Sequence, residues 1–490
     1  MLVFKKIYKN IDFAKYILLV VIFLISLTTI ADEKPKIELP ELGDRVSGAV
    51  SEYQEQLIGN QFLTQVYAQA PLVTDPLTFE YTELLIYKLS ETSNVKNRDF
   101  KVLIIDDNSL NAFAAPGGII GVNRGLFLYA ETEGQFASVM THELAHLSQR
   151  HFARNVLRSK DTSLASALVM ISSIAVALIS NNPNAIAAGP ALLQQQSLRY
   201  SRLFEKEADR VGFQNLINAG YKPSSMGEMF EIMNDMRRLS GELPPEFLLT
   251  HPITSSRVSD AFSAADQYPD LENQKSDTLD YSLIRARLMV QAEQIPQNSI
   301  RYFEAENIKN MNNDMALYGL SLAQKKIGTF DKSLDNINKL ISKYPKNLIL
   351  NTTKAEILFE SNNISAALNL TDTFLDISPR NYPLSLLKAN ILSSNNRHIE
   401  SEEIIRDLLL KKNDDPNLWL LLSEIQRDGK NIVGFYQSKA EYFILLGQYE
   451  EAISQLEFAL KLTKNNFQAN ERILTKIIDT QKKLNKSRGL

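Results

Sequence analysis

Thr141-His142-Glu143-Leu144-Ala145-His146 holds the residue types best able to do chemistry in this sequence. A helix advances by about 100° per residue, so His142 and His146 would lie one turn apart on one face. Two neutral imidazoles set that way can hold one Zn²⁺, and Glu143 beside the first can reach a water bound to the metal. A zinc site needs further protein ligands, and the helical stretch Ser201-Arg202-Leu203-Phe204-Glu205-Lys206-Glu207-Ala208-Asp209-Arg210 offers them downstream. Glu205 and Asp209 share a helix face, so one can bind metal while the other steadies the site. Thr250-His251-Pro252 adds a histidine whose backbone the proline keeps extended. Its chemistry is either donation to a transition-state oxyanion or the fourth coordination position. The plainer alternatives are a surface helix carrying two histidines, a solvated acidic face, and a histidine with a structural hydrogen bond at a helix start.

These residues need elements to position them. Residues 134–154 read as one helical run around the histidine pair, with helical patterns before it over 51–70 and 79–90. Phe100-Lys101-Val102-Leu103-Ile104-Ile105-Asp106 is β-branched and bounded by polar residues, as a strand would be. Apolar segments 110–115 and 119–122 flank Pro116-Gly117-Gly118, which predicts a hairpin or meander. A small sheet running directly into the histidine helix is the layout of zincins, in which the nearest strand receives an extended substrate by edge pairing.

A chain of 490 residues predicts roughly three domains. With 44% hydrophobic and 22% charged residues it is globular in type, and a net charge of −4 gives no basis for binding nucleic acid. The sequence has no cysteine, which excludes thiol catalysis, zinc–thiolate sites and disulfides and leaves the redox compartment open.

Lys5, Lys6, Lys9 and Lys15 precede the apolar run 16–27, and Thr29-Ile30-Ala31 offers small residues for cleavage before Asp32. This predicts a cleaved secretory signal over residues 1–31; the alternative is a retained N-terminal anchor in the inner membrane. A second apolar run, 164–179, would be about 24 Å long as a helix, short of a bilayer core of about 30 Å. It is expected to be a buried helix, or an apolar lid beside the cleft that meets substrate or membrane.

Polar residues 268–278 read as a connector, and beyond them the pattern is helical. Gly328-x-Phe330, Asn362-x-Ile364 and Asn396-x-His398 recur at 34-residue intervals, and Pro345 and Pro379 repeat that step. That is the period of tetratricopeptide repeats, which bind protein or peptide and do no chemistry. Gly447-Gln448-Tyr449 falls 51 residues after Asn396, one and a half repeats, so the helix over 431–446 should close one repeat and open the next. His398 lies in this half and is expected to be a packing or surface residue.

Asn111-Ala112-Phe113 with Pro116-Gly117-Gly118, Thr141 through His146, Ser201-Arg202 with Glu205-Lys206-Glu207-Ala208-Asp209, and His251-Pro252 with Arg257 together resemble the zinc metalloprotease family that includes HtpX and the CAAX-processing endopeptidase. The signal peptide and C-terminal repeats resemble the branch of that family serving β-barrel assembly in the bacterial periplasm. The resemblance implies an α+β zincin-type metalloprotease domain, mostly helical with a small sheet, followed by an all-α tetratricopeptide-repeat solenoid. Its boundaries would be 32–266 for the protease, 267–300 for the connecting segment and 301–485 for the repeats. It also implies one Zn²⁺ per chain held by His142, His146 and Glu205, with Glu143 as general base, Asp209 as a supporting acid and His251 as a residue that can close the metal site.

The implied partners are unfolded or misassembled outer-membrane proteins and the outer-membrane assembly machinery, the latter through the repeats, with peripheral membrane contact. An alternative is a chaperone-like assembly adaptor with latent or minor proteolysis. Integral-membrane members of the family have several spans and this sequence has at most one candidate. The repeats also lack the usual Trp and Tyr at many positions, which leaves their number open.

Overall fold

The computed structural model describes residues 50–158, 202–239, 246–269, 274–310 and 312–488. The leader and the apolar run 164–179 lie outside the described residues. Helix α1 (Glu52–Gln69) starts on a capping box in which Ser51 and Gln54 satisfy each other's backbone N–H, and α2 (Pro76–Glu91) starts on Asp75 with proline in its first turn. Strands β1 (Lys101–Ile105), β2 (Ala112–Ala115) and β3 (Ile119–Asn123) make one sheet in the order β1-β3-β2. β2 and β3 form the expected hairpin, antiparallel with Ala112 opposite Val122. Its turn needs two consecutive left-handed residues, supplied by Gly117 and Gly118 with φ of 81° and 78°. β1 pairs parallel to β3, with Lys101 opposite Ile119, which leaves β2 as an edge strand.

A short helix α3 (Arg124–Tyr129) leads into α4 (Glu133–Ser148), whose N-cap Thr132 accepts from the backbone N–H of Gln135. Every residue of α4 from Glu133 to His146 is buried, so the histidine pair lies on a central helix and not on a surface one. The run expected over 134–154 is broken: Arg150 takes a left-handed φ of 49°, and α5 (His151–Arg158) starts in a new direction.

Helices α6 (Arg202–Asn218), α7 (Ser224–Leu239) and the one-turn α8 (Glu246–Thr250) follow, then α9 (Ser255–Ala265). α6 packs on α4 at Gly212, where a Cβ would come within 3.0 Å of the His142 backbone. Glu205, Asp209 and Gly212 fall on one face of α6, so the glycine permits the close approach and the two acids use it.

The polar stretch expected as a connector is stitched to the start of α4. The backbone N–H of Gly134 donates to Ser276 and that of Glu133 to the Asp277 carboxylate. The buried Glu133 carboxylate accepts from Tyr81, Tyr221 and Thr278. Helix α10 (Leu279–Ala292) then enters the same apolar core as Leu85, Phe127 and Phe136 through Tyr281, Ile284 and Leu288.

From α11 (Pro296–Lys309) the chain is a stack of helices: α12 (Asp314–Lys326), α13 (Phe330–Lys343), α14 (Leu348–Glu360), α15 (Ile364–Ile377), α16 (Tyr382–Ser394), α17 (His398–Leu409), α18 (Pro416–Asp428), α19 (Ile432–Leu445), α20 (Tyr449–Leu462) and α21 (Phe467–Ser487). Gly328, Asn362, Asn396 and Lys430 each turn the chain with left-handed φ of 76°, 64°, 62° and 61°, at a step of 34 residues. Small residues meet where paired helices cross: Ser333 Oγ donates to the Ser321 carbonyl and Ser401 Oγ to the Ala389 carbonyl, both at 2.7 Å. α19 packs between α18 and α20, as the half-repeat offset requires. His398 is a half-buried residue at the start of α17, with Nδ1 3.3 Å from Ser393 Oγ.

The core is continuous from Leu77 in α2 to Leu350 and Ile357 in α14. Arg287 of α10 lies buried at the junction, Nε 2.7 Å from the Asp75 carboxylate and Nη2 2.7 and 2.9 Å from that of Glu356. Farther along, Asn381 and the Tyr382 backbone N–H donate to Glu80, and Lys412 reaches Glu83, so α2 also touches the later repeats.

Candidate metal centre

One donor atom from each of His142, His146, Glu205 and His251 lies within 4.8 Å of every other, and all four residues are buried. His142 Nε2 is 3.0 Å from His146 Nε2 and 3.5 Å from His251 Nδ1. Glu205 Oε1 is 3.0 Å from His251 Nδ1 and 3.6 Å from His146 Nε2. Donors about 2.0–2.2 Å from one tetrahedral ion stand about 3.3 Å apart, so this spacing fits a four-coordinate metal held by three imidazoles and a carboxylate. α4 supplies the first pair, α6 the carboxylate, and the chain after α8 supplies His251, whose ring stacks on Phe247 at 4.8 Å.

Electrostatics agree with the geometry at His146 and Glu205. Burial, then the neighbouring histidines and Arg257, push His146 well below the usual imidazole range, leaving it neutral as a metal ligand must be. Burial opposes the Glu205 carboxylate, but His251, His142 and Arg257 outweigh it and hold its pKa down. His251 is the reverse: burial disfavours its cation, and Glu205 and Glu143 more than compensate.

Glu143 lies beside this group, with Oε1 3.7 Å from His251 Nε2. Burial raises its pKa. Both of its oxygens are buried without a well-formed hydrogen bond among the described residues, and the backbone N–H of Ala114 in β2 favours its charged form. A carboxylate left so is costly unless a cation or a reacting group meets it, which is what a metal beside it would provide. Asp209 backs His142, its Oδ1 3.0 Å from His142 Nδ1, though off the line of a good hydrogen bond. Despite burial, the His142 contact and Arg257 bring Asp209 down to about 2.

All six residues singled out in the sequence, His142, Glu143, His146, Glu205, Asp209 and His251, therefore converge. Two residues behind these donors had no assigned part. Arg257 forks onto Asp209 and lies 3.0 Å from Glu205 Oε2. His151, fully buried, has Nδ1 2.9 Å from His146 Nδ1 and Nε2 3.3 Å from Glu207 Oε2. Burial brings His151 down to about 4, so it is neutral near pH 7.

Residues 76–265, which include every donor of the centre, match the family model of peptidase family M48. The chain is a metalloprotease. Residues 358–425 match the tetratricopeptide-repeat model, in keeping with the helical stack that follows the protease fold. Over 432 residues, 87% of this chain and 88% of the relative, the metalloprotease is 29% identical to the beta-barrel assembly-enhancing protease of Escherichia coli (strain K12). The same shares and identity apply to the putative beta-barrel assembly-enhancing protease of Vibrio cholerae serotype O1. The mitochondrial metalloendopeptidase OMA1 of Arabidopsis thaliana is 28% identical over 166 residues, 34% of this chain and 32% of that one. Among the described residues, no helix of the metalloprotease is long and apolar enough to cross a membrane.

Proposed function

We propose that this metalloprotease is a periplasmic zinc endopeptidase that degrades misfolded or misassembled outer-membrane β-barrel proteins and assists their assembly, the repeats holding substrate or assembly machinery. The observation that carries the reading is the buried group of three imidazoles and one carboxylate with the buried Glu143 carboxylate beside it. The names of the bacterial relatives support the client, and the basic, then apolar, leader ending before Asp32 supports the compartment.

His142, His146 and Glu205 would hold one Zn²⁺, which when bound supplies Lewis-acid activation of water and of a scissile carbonyl. Glu143 takes the proton from the attacking water and returns it to the departing amine, a task suited to a carboxylate whose pKa burial has raised. β2 is an edge strand packed against α4, so an extended substrate can pair along it and bring its carbonyl to Glu143. His251 stands within the ligand group and beside Glu143, so it has to withdraw before a peptide can occupy that space. In this arrangement the enzyme is latent.

Zinc content and casein cleavage of the purified protein, beside Glu143→Gln, test the reading. One zinc per chain, with cleavage falling at least about a hundredfold in Glu143→Gln, is expected. Normal turnover in that variant would remove Glu143 from the mechanism. Zinc without any cleavage, even in a His251 variant, would favour the chaperone-like adaptor.

A further inference from the structure

Residue 151 would not face His146 in an unbroken helix, because five residues advance the chain by about 140° beyond a full turn. The left-handed Arg150 ends α4 and turns α5 back, which brings the His151 ring to His146. The turn is itself held: Arg150 Nη2 lies 2.7 Å from the Glu55 carboxylate and 2.8 Å from the Val50 carbonyl.

A metal on His146 would fix the hydrogen positions in this contact. His146 Nε2 is the nitrogen that faces His142 and Glu205, so a metal bound there would take its lone pair and leave its proton on Nδ1. Two ring nitrogens 2.9 Å apart need one donor and one acceptor, so His151 Nδ1 accepts. His151 then carries its own proton on Nε2, which points at Glu207 Oε2, 3.3 Å away. Arg154 Nη1, 3.0 Å from the same oxygen, fixes the end of the chain. The ring plane is set independently by Phe204, stacked on His151 at 4.6 Å and 12°.

We infer that His151 is a positioning residue for the metal site: with Glu207 behind it, it selects the tautomer and ring orientation in which His146 offers Nε2 to the metal. The inference rests on the zinc-site reading above. The two ligands of α4 are thus backed differently, His142 by a carboxylate and His146 by an imidazole that a carboxylate orients.

The test is the zinc dissociation constant of the full chain, measured by competition with a chromogenic chelator, for the unsubstituted protein, His151→Gln and His151→Phe. The Gln carbonyl can still accept from His146 Nδ1, whereas Phe can only fill the space and stack on Phe204. Phe is expected to weaken zinc by about 10–100-fold, with Gln staying clearly closer to the unsubstituted chain. The Co²⁺-loaded form should show an altered visible spectrum in Phe alone. Packing alone would give the opposite order, Phe tight and Gln weak, and that order or equal affinities would overturn the inference. Thermal unfolding of the zinc-free chains checks folding; if Phe does not fold, Glu207→Leu takes its place with the same expected loss. Failure of the unsubstituted chain to bind zinc would overturn the metal-site reading itself and this inference with it.

Discussion

Arg257 meets Asp209 through two parallel contacts, Nε to Oδ2 at 2.7 Å and Nη2 to Oδ1 at 2.6 Å. The same guanidinium places Nη1 3.0 Å from Glu205 Oε2, so one buried cation serves the acid that backs His142 and the acid within the ligand group. Arg257 also donates to the Pro252 carbonyl at 3.0 Å, tying the His251 segment to α6.

Arg257→Leu leaves two buried carboxylates without their cation, a change that typically costs about 3–5 kcal/mol. Zinc would replace part of the missing charge at Glu205. The loss of thermal stability should therefore be larger in the zinc-free chain than in the zinc-saturated one. Equal losses in both states would show that Glu205 does not bind the metal. Arg257→Lys should fall between the two, because it restores the charge but a single ammonium cannot reproduce the fork.

His251→Ala should leave zinc bound and raise basal casein cleavage, since His142, His146 and Glu205 remain and the space beside Glu143 opens. A fall in turnover at constant zinc content would instead assign His251 to the transition-state oxyanion.

Gly212→Ala sets two effects against each other. The alanine gains about 1 kcal/mol of helix propensity, and its methyl presses on the His142 backbone, where overpacking typically costs about 1–3 kcal/mol. Global stability should fall by no more than about 2 kcal/mol. Zinc affinity should fall more visibly, because the shift acts directly on the spacing of Glu205 from the histidine pair. An unchanged affinity would mean that α6 and α4 are positioned by their other contacts.

Asp75 gives an acid limb to stability. Burial opposes its charge, but Arg287 and the Thr78 contacts more than compensate and depress its pKa in the folded state. A depressed carboxylate stabilises fully above its unfolded value, about 3.9, and the contribution is lost as pH falls through the lower folded value. Urea unfolding between about pH 5 and pH 2.5 should show that loss in the unsubstituted chain and a flatter profile in Asp75→Asn. The variant should also be less stable at neutral pH, by about 3 kcal/mol, because Arg287 loses one of its two buried carboxylates.

Much of the site was legible because helix geometry is periodic. His142 with His146, and Glu205 with Asp209, are each four apart, and the proline after His251 marks an extended backbone. His151 escaped for the same reason: a spacing of five is not a helix-face spacing, and Arg150 gives no sign of a left-handed turn as Gly or Asn would. The parallel pairing of β1 with β3 was equally hidden, since Pro116-Gly117-Gly118 speaks only for its own hairpin. In the repeats, Gly328, Asn362 and Asn396 revealed the 34-residue step through their residue types, while Lys430 occupies the next left-handed position unannounced. The composition change near residue 268 marks where the pattern alters. It could not reveal that Tyr281 and Tyr318 share a core with Phe127, because an amphipathic helix does not name its partner.

That shared core makes the protease and the first repeats one thermodynamic unit. Heat should melt both in a single transition, and a chain nicked between α10 and α11 should stay assembled. The repeat half made alone would present Tyr318, Leu322 and Leu350 to water and self-associate. A client that binds only the folded first repeats therefore stabilises the protease half by the same free energy, so occupancy in the repeats is felt as resistance to unfolding in the half that holds His142 and His146.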